Sequence, residues 1–520
     1  TTYRDSMEYA EGIINYLYII LMFTVYILIL HNRYFDVTKT KYACFLCVTL
    51  IYIASLGFIR LIKMMIDRYG VKAGKKDVND AGKCRNTPAY MMMLFMAANM
   101  FACFMGDSHA IYGDQGRFMG FLTYTVIGLA FILLSYNYKG YDSLYIIFAS
   151  VIILTLIFAI IQHMGYDLFG LKQNIKPKQY KKFISTFGNI NIFASYLVMV
   201  IGVAMGAYIY VRKSVEKHIC IIIKALYGVV LFLLGMTVMT ANSDSVYMGM
   251  GVIILLAFVF AYRQDKLKDF LQASFLLAAG NLVMTIWHTK MEKVPSYGGL
   301  TRKLDNVKLA LVVTATVILF YGLVEFVERL ERKYKRSKLN KNIGTAVICL
   351  VAVCGIALFV AKGIKSGDSL FKFDYKWGTY RGYIWIKSIE TFQDAPVINK
   401  IFGYGNESIR QVITVPNYTE MLEATDRIYD NAHNEILQYL VTLGLLGAIS
   451  YVLLVVESVW YMLKYGRRDM HIYISLFAVS GYFTQAIVNI NQPITTPLYF
   501  LFMAMGVGYA TYCKKNEEET

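Results

Sequence analysis

A histidine, a glutamate and two asparagines stand together in Asp430-Asn-Ala-His-Asn-Glu-Ile-Leu-Gln438. The segment lies where the chain's longest polar excursion, Lys362–Asn434, gives way to apolar sequence. His433, Asn434 and Glu435 are poor choices for burial in hydrocarbon and good choices for chemistry. An imidazole with an ordinary pKa near 6.5 exchanges protons at working pH. Ionisable residues at a membrane edge mark a functional site by default.

The rest of the chain must bring that cluster to a bilayer. The protein has 520 residues, 57% of them hydrophobic and only 17% charged, with a mean hydropathy of +0.47. Apolar runs of about 20 residues recur throughout, the length that crosses ~30 Å of hydrocarbon. Because these runs are continuous rather than alternating, they select helices over a closed barrel. The expected fold is an all-α integral membrane protein with about 14 (12–14) spans, near the length set by the bilayer. These run approximately over 12–30, 42–59, 89–105, 118–136, 144–164, 191–211, 219–239, 246–262, 270–288, 307–327, 343–361, 435–462, 471–490 and 496–513.

The net charge of +17 raises the question of nucleic acid. Its distribution answers otherwise, because lysine and arginine collect in short alternate connections, as the positive-inside rule expects. Assigning Arg60–Arg85, Arg212–Lys217, Arg263–Lys268, Arg329–Lys341 and Lys464–Arg468 to the cytoplasm places both termini inside and Lys362–Asn434 outside. The expected organisation is a membrane body over 1–361, a large extracytoplasmic loop with short helices over 362–434, C-terminal spans over 435–513 and a cytoplasmic tail over 514–520. One external loop breaks the charge pattern with Lys172, Lys176, Lys178, Lys181 and Lys182. It reads either as a solvated charge run or as a cationic surface for an anionic lipid head group.

Several chemistries find no support. Cys44 and Cys47 form a C-x-x-C inside an apolar run, where small packing residues are expected rather than a redox or zinc pair. His433 and Glu435 form a His-x-Glu, but no Pro-Cys-x-x-Cys follows, as a zinc deaminase would need. There is no H-E-x-x-H, P-loop or calcium array, so no metal site and no cofactor are expected. The first apolar run is long and lacks a small-residue cleavage site, so no cleavable signal peptide is expected. Gly202-x-x-x-Gly206 permits close helix contact without requiring a dimer.

Three stretches together resemble the O-antigen ligase/polymerase superfamily of polytopic membrane enzymes. Ser185-Thr-Phe-Gly-Asn-Ile-Asn191 is similar to the family's loop-to-helix Thr-Phe-Gly-Asn-x-Asn motif. Arg381-Gly-Tyr-Ile-Trp385 with Phe402-Gly-Tyr-Gly405 resembles its Arg-x-x-x-Trp and Gly-x-Gly pair. Ala432-His-Asn-Glu-Ile-Leu-Gln438 with Leu443-Gly-Leu-Leu-Gly447 resembles its Ala-His-Asn-x-x-Leu-Gln signature, the most specific of the three.

The resemblance implies a GT-C-like, metal-independent inverting glycosyltransferase of the plasma membrane. Its donor would be a glycan on polyprenyl (undecaprenyl) diphosphate, its acceptor a hydroxyl of a glycan, lipid or protein, and its product a cell-surface polysaccharide. His433 would act on the acceptor hydroxyl, and Arg381 would grip diphosphate oxygens in a guanidinium fork. Glu435 would orient His433 or contact the acceptor, or else pair with a loop cation. Asn189, Asn191, Trp385, Lys181, Lys182 and Asn434 are the expected substrate-binding residues. Asn189 and Asn191 could equally cap the helix they open, and Trp385 could pack within the loop's own core.

One position departs from the family. Where Ser-Arg-Gly is common, this chain has Asn242-Ser243-Asp244-Ser245, so a compensating cation is expected, with the lysines at 172–182 as candidates. The alternative from another class is a transporter or flippase of lipid-linked glycans. That reading accounts for intramembrane charges such as Lys224 and Glu325, but not for the outer loop, and internal repeats are absent by eye.

Overall fold

The computed structural model describes residues 3–69, 85–107, 109–114, 116–211, 217–291, 297–334, 350, 361–362, 365 and 372–518. Among these, ten helices are long and apolar enough to cross a membrane, from Asp5–Leu28 to Gly444–Tyr465. Three further helices, Phe121–Asn137, Met470–Ala486 and Thr496–Glu518, pack into the same bundle. The span expected over 343–361 falls almost entirely outside the described residues. The chain is a multi-pass helical membrane protein.

Burial sorts the helices into centre and rim. The apolar window of Val307–Leu330 is only 11% buried, and it turns Leu319, Phe320, Leu323 and Phe326 outward. Such residues suit lipid, which is as apolar as they are. In Ile190–Tyr210 the figure is 94%, which makes this helix the axis of the bundle. Its closest partner is Met470–Ala486. A Cβ added at Gly202 or Gly206 would come within 2.5 Å of the backbone nitrogen of Ala478 or Ile474. The Gly-x-x-x-Gly pattern therefore serves a contact inside this chain.

The long polar segment ending at Asn434 has a core of its own, built on Tyr383, Ile384, Ile409, Ile413, Met421 and Tyr429. It is made of short helices, Trp377–Gln393, Val397–Phe402 and Tyr418–Thr425, with a single π-turn over Arg410–Thr414. The Gly403-Tyr-Gly405 turn docks it onto the membrane body. Tyr404 N and Gly405 N donate to Val441 O and Thr442 O at 3.1 and 2.9 Å. Both glycines have positive φ, and a Cβ on Gly405 would meet Gly106 Cα at 2.6 Å, so the turn needs glycine for conformation and for space.

Among the described residues one small departure from an all-helical chain occurs. Phe183–Ile184 pairs antiparallel with Gly188–Asn189, closing the Ser185–Phe187 turn.

Candidate active site

The Asp430–Asn434 turn is fixed by its own side chains. Asn431 Oδ1 accepts from His433 N at 2.8 Å, and Gln438 Oε1 accepts from Ala432 N at 3.0 Å. Asn434 Oδ1 caps the helix Glu435–Thr442 by accepting from Ile436 N and Leu437 N, both at 3.0 Å. These bonds hold His433 at φ +51, a left-handed conformation that costs an L-residue about 1–2 kcal/mol. Strain of this kind persists where the surroundings over-determine it, and it gathers at functional sites.

The imidazole is half-buried, and its Nδ1 is enclosed with no hydrogen-bond partner among the described residues. Burial lowers the His433 pKa from the ordinary 6.5 to about 3, with Arg381 and Arg117 pushing the same way. The ring is therefore neutral throughout the physiological range. An ordinary imidazole pKa was the expectation from sequence; burial accounts for most of the difference, and two guanidinium groups from distant segments add to it.

Arg381 arrives from the long polar loop. Gly378, Thr379 and Tyr380 form a run of left-handed residues, and regular helix begins only after them. Tyr429 Oη donates to Thr379 O at 2.9 Å, while the Tyr429 ring packs edge-on against His433 at 5.5 Å. One tyrosine thus ties the start of the Arg381 helix to the histidine turn. Burial lowers the Arg381 pKa, and Tyr429 and Asp244 partly offset it.

A second arginine, Arg117, has no counterpart among the residues that sequence singled out. It lies before Phe121–Asn137 and donates through Nη2 to Asp430 Oδ1 at 2.5 Å and through Nε to Asp430 Oδ2 at 3.3 Å. Its Nε also lies 4.0 Å from Glu407 Oε2. Burial opposes the Arg117 charge, but Glu407 and Asp430 more than restore it. Asp430 stays below its usual range despite burial, through Arg117. Burial raises the Glu407 carboxyl to about 7, against the pull of Arg117. Arg117 Nη1, Asn406 Nδ2 and Asn431 Nδ2 remain buried donors without a partner among the described residues. Buried donors left unpaired are uncommon and mark places where a ligand or water completes the bonding.

The first motif approaches from the bundle axis. Tyr34 Oη donates to Ser185 O at 2.6 Å, and Thr186 Oγ1 to Ile27 O at 2.8 Å. Lys41 Nζ donates to Tyr26 O and Ile27 O and lies over the Phe187 ring. Asn189 Oδ1 accepts from Asn191 N at 2.8 Å, the capping arrangement. Asn191 Oδ1 accepts from Ser243 Oγ at 3.3 Å, which brings this motif beside the departing Asn242–Ser245 segment.

Asp244 has a structural reason to be there. Its Oδ1 accepts from Leu300 N at 2.8 Å, and Asn242 Oδ1 accepts from Gly298 N at 3.1 Å. Asn191 thus contacts Ser243, and the neighbouring Asp244 acts on Arg381 through its charge.

Other expected residues sit nearer the periphery or serve the scaffold. Both Glu435 oxygens are taken, accepting from Tyr451 Oη at 2.8 Å and Tyr482 Oη at 3.0 Å. Trp385 packs on Trp377 with ring centroids 4.9 Å apart. Lys181 and Lys182 are exposed on the turn Pro177–Lys182. Lys172 is half-buried, and burial lowers its pKa against the pull of Asp167.

No curated protein matches the chain. Residues 228–452 match the family model for O-Antigen ligase, a stretch that includes Arg381, Glu407, His433 and Glu435 but not Arg117, Asn189 or Asn191. The fold of buried and lipid-facing helices, the loop with its own core and this match agree: over that stretch the chain is similar to the O-antigen ligase family, which supports a membrane enzyme of ligase/polymerase type.

Proposed function

We propose that the protein transfers a glycan from a polyprenyl-diphosphate carrier to an acceptor hydroxyl at the outer face of the plasma membrane, with inversion and without a metal at the reacting atoms. The observation that carries this is His433 in its strained turn, its Nδ1 enclosed and unpaired among the described residues like the buried donors of Arg117, Asn406 and Asn431. The acceptor oxygen forms its bond to the anomeric carbon as the bond from that carbon to the diphosphate oxygen breaks. The hydroxyl proton passes to His433, and the polyprenyl diphosphate leaves with the electron pair.

Charge links these events. Burial comes first in keeping His433 unprotonated, and the two arginines that add to it are the groups a diphosphate would neutralise. Bound diphosphate therefore raises the basicity of His433 where a proton must be accepted. Arg381 binds phosphate oxygens in its planar fork. Arg117 supplies positive charge where the departing Asp244 does not, with Lys172, Lys181 and Lys182 adding to the field around the entrance. Asn191 and Trp385 line the approach of the sugars. Asn189, Asn434 and Glu435 hold the backbone that presents the reacting groups.

The test is to incubate the purified protein with a radiolabelled lipid-linked glycan and an acceptor preparation. Polyprenyl diphosphate should be released in step with glycan transfer. Movement of intact donor across vesicles without release would instead return the protein to the transporter class. Orientation is checked with a membrane-impermeant thiol reagent on Glu423→Cys and Arg329→Cys; labelling of the second but not the first from outside would sink the assignment.

A further inference from the structure

Two membrane-spanning helices, Asp142–His163 and Leu267–His288, each end on a histidine, and the two rings meet. His163 Nε2 lies 3.0 Å from His288 Nε2, and Tyr297 Oη lies 2.9 Å from the first and 3.2 Å from the second. Three nitrogen and oxygen atoms from three chain segments thus form a closed triangle. From these atoms and their partners we propose that His163, His288 and Tyr297 form a binding site for a divalent transition-metal ion of the zinc type, separate from the glycan-transfer chemistry.

The dimensions fit such an ion. Donors about 2.05 Å from a metal stand ~2.9 Å apart at right angles and ~3.3 Å apart at tetrahedral angles. The three observed separations fall inside that interval. The protonation pattern fits as well. Asp305 Oδ1 lies 2.8 Å from His288 Nδ1, so the carboxylate holds the N–H on that nitrogen and leaves the Nε2 lone pair facing the triangle. A carboxylate behind a ligating histidine is the usual support of a metal site, fixing both tautomer and ring orientation.

Electrostatics add a third argument. Both histidines close helices of 22 residues, so two carboxyl-terminal dipole ends meet here and favour a cation. Lys172 contributes a positive charge near His163, which the Asp305 carboxylate opposes from the other side. A fourth position is left for water or an exogenous ligand. Imidazole and phenolate suit zinc, copper and iron better than magnesium or calcium. The ion would join the loop that carries Tyr297, Leu300 and Asp305 to both helix ends, and the same loop holds Asp244 through Leu300 N.

The full-length protein, stripped with a chelator in detergent, is titrated with Zn2+ in competition with a fluorescent chelator and with Co2+ by optical absorption. Wild type should take up one equivalent, with a Co2+ ligand-field band and a rise in Tm on zinc addition. His163→Ala with His288→Ala should abolish uptake. Asp305→Asn, nearly isosteric, should weaken it about 10–100-fold. Tyr297→Phe should weaken zinc binding and alter the Co2+ spectrum while the fold is kept. Absence of saturable uptake by folded wild type, or equal uptake by wild type, Asp305→Asn and Tyr297→Phe, would overturn the site. None of these readouts depends on glycan transfer, so the outcome stands apart from the activity assay.

Discussion

His433 and Glu435 are two residues apart, yet they face different worlds. Above the turn, His433, Arg117, Asn406 and Asn431 leave hydrogen-bonding capacity unused in a strongly charged setting. Below it, Glu435 enters a well of tyrosines. Tyr451 and Tyr482 bind its two oxygens, Tyr482 also meets Thr496 Oγ1 at 3.2 Å, and Tyr124 meets Tyr439 Oη and Asn491 Nδ2. The upper region is under-bonded and electrostatically tense, whereas the carboxylate at the centre of the lower one is fully paired. A short motif can thus carry both the reacting group and the anchor that aims it, and residue type alone does not say which is which.

The largest effect should come from the upper region. His433→Ala should lower glycan transfer by about 10²–10⁴-fold, the usual cost of losing a general base, while membrane insertion and Tm stay near wild type. Transfer within a few-fold of wild type would erase the distinction between the regions. Arg381→Ala should cost about 10²–10³-fold, as does loss of a donor to developing charge. Arg381→Lys should recover only part of that, because an ammonium lacks the fork.

Arg117→Ala should behave as a mixture. It strips the counter-charge from Asp430 and the buried Glu407, so a fall in Tm should accompany the fall in transfer. Adding Glu407→Gln should recover Tm without recovering transfer, since burial already favours the neutral carboxyl at that position. Glu435→Gln should be milder, lowering transfer a few-fold, because an amide can accept one of the two tyrosine bonds but leaves the other mismatched. A defect matching that of His433→Ala would move Glu435 into the reacting group.

The smallest effect is an absence of change. kcat/KM reports the free enzyme, in which His433 titrates near pH 3, so no acid limb from this residue should appear between pH 5 and 8. A limb near pH 6.5 that disappears in His433→Asn would show that burial and the arginines do not depress its basicity. Stability follows the same shift. The folded pKa lies below the unfolded value of 6.5, so the His433 contribution is intact above pH 6.5, declines as pH falls and is lost by about pH 3.

Most spans were legible because length and apolarity are local properties of a chain, but the one expected over 435–462 is split into Glu435–Thr442 and Gly444–Tyr465. The histidine turn was legible because its side chains bond within nine residues of one another, leaving a compact signature in sequence. Arg117 was not, since its partner Asp430 lies 313 residues away and nothing near position 117 announces it. The depressed His433 pKa was hidden too, because burial and charges from distant segments set it. Asp244 looked like a lost phosphate ligand until its bonds to a loop 56 residues on showed a backbone acceptor. The His163–His288–Tyr297 triangle was invisible for the same reason, being assembled across 125 and 134 residues.

The left-handed backbone at His433 bears on how any substitution library at that position is interpreted. Glycine adopts φ +51 without cost, asparagine tolerates it, alanine is less content there, and valine is strongly disfavoured. None of the four carries an imidazole. Ranked by expression level they form a gauge of what the turn demands of the main chain; ranked by turnover they report the missing ring alone. Where the two rankings part company, conformation and chemistry can be told apart at one codon.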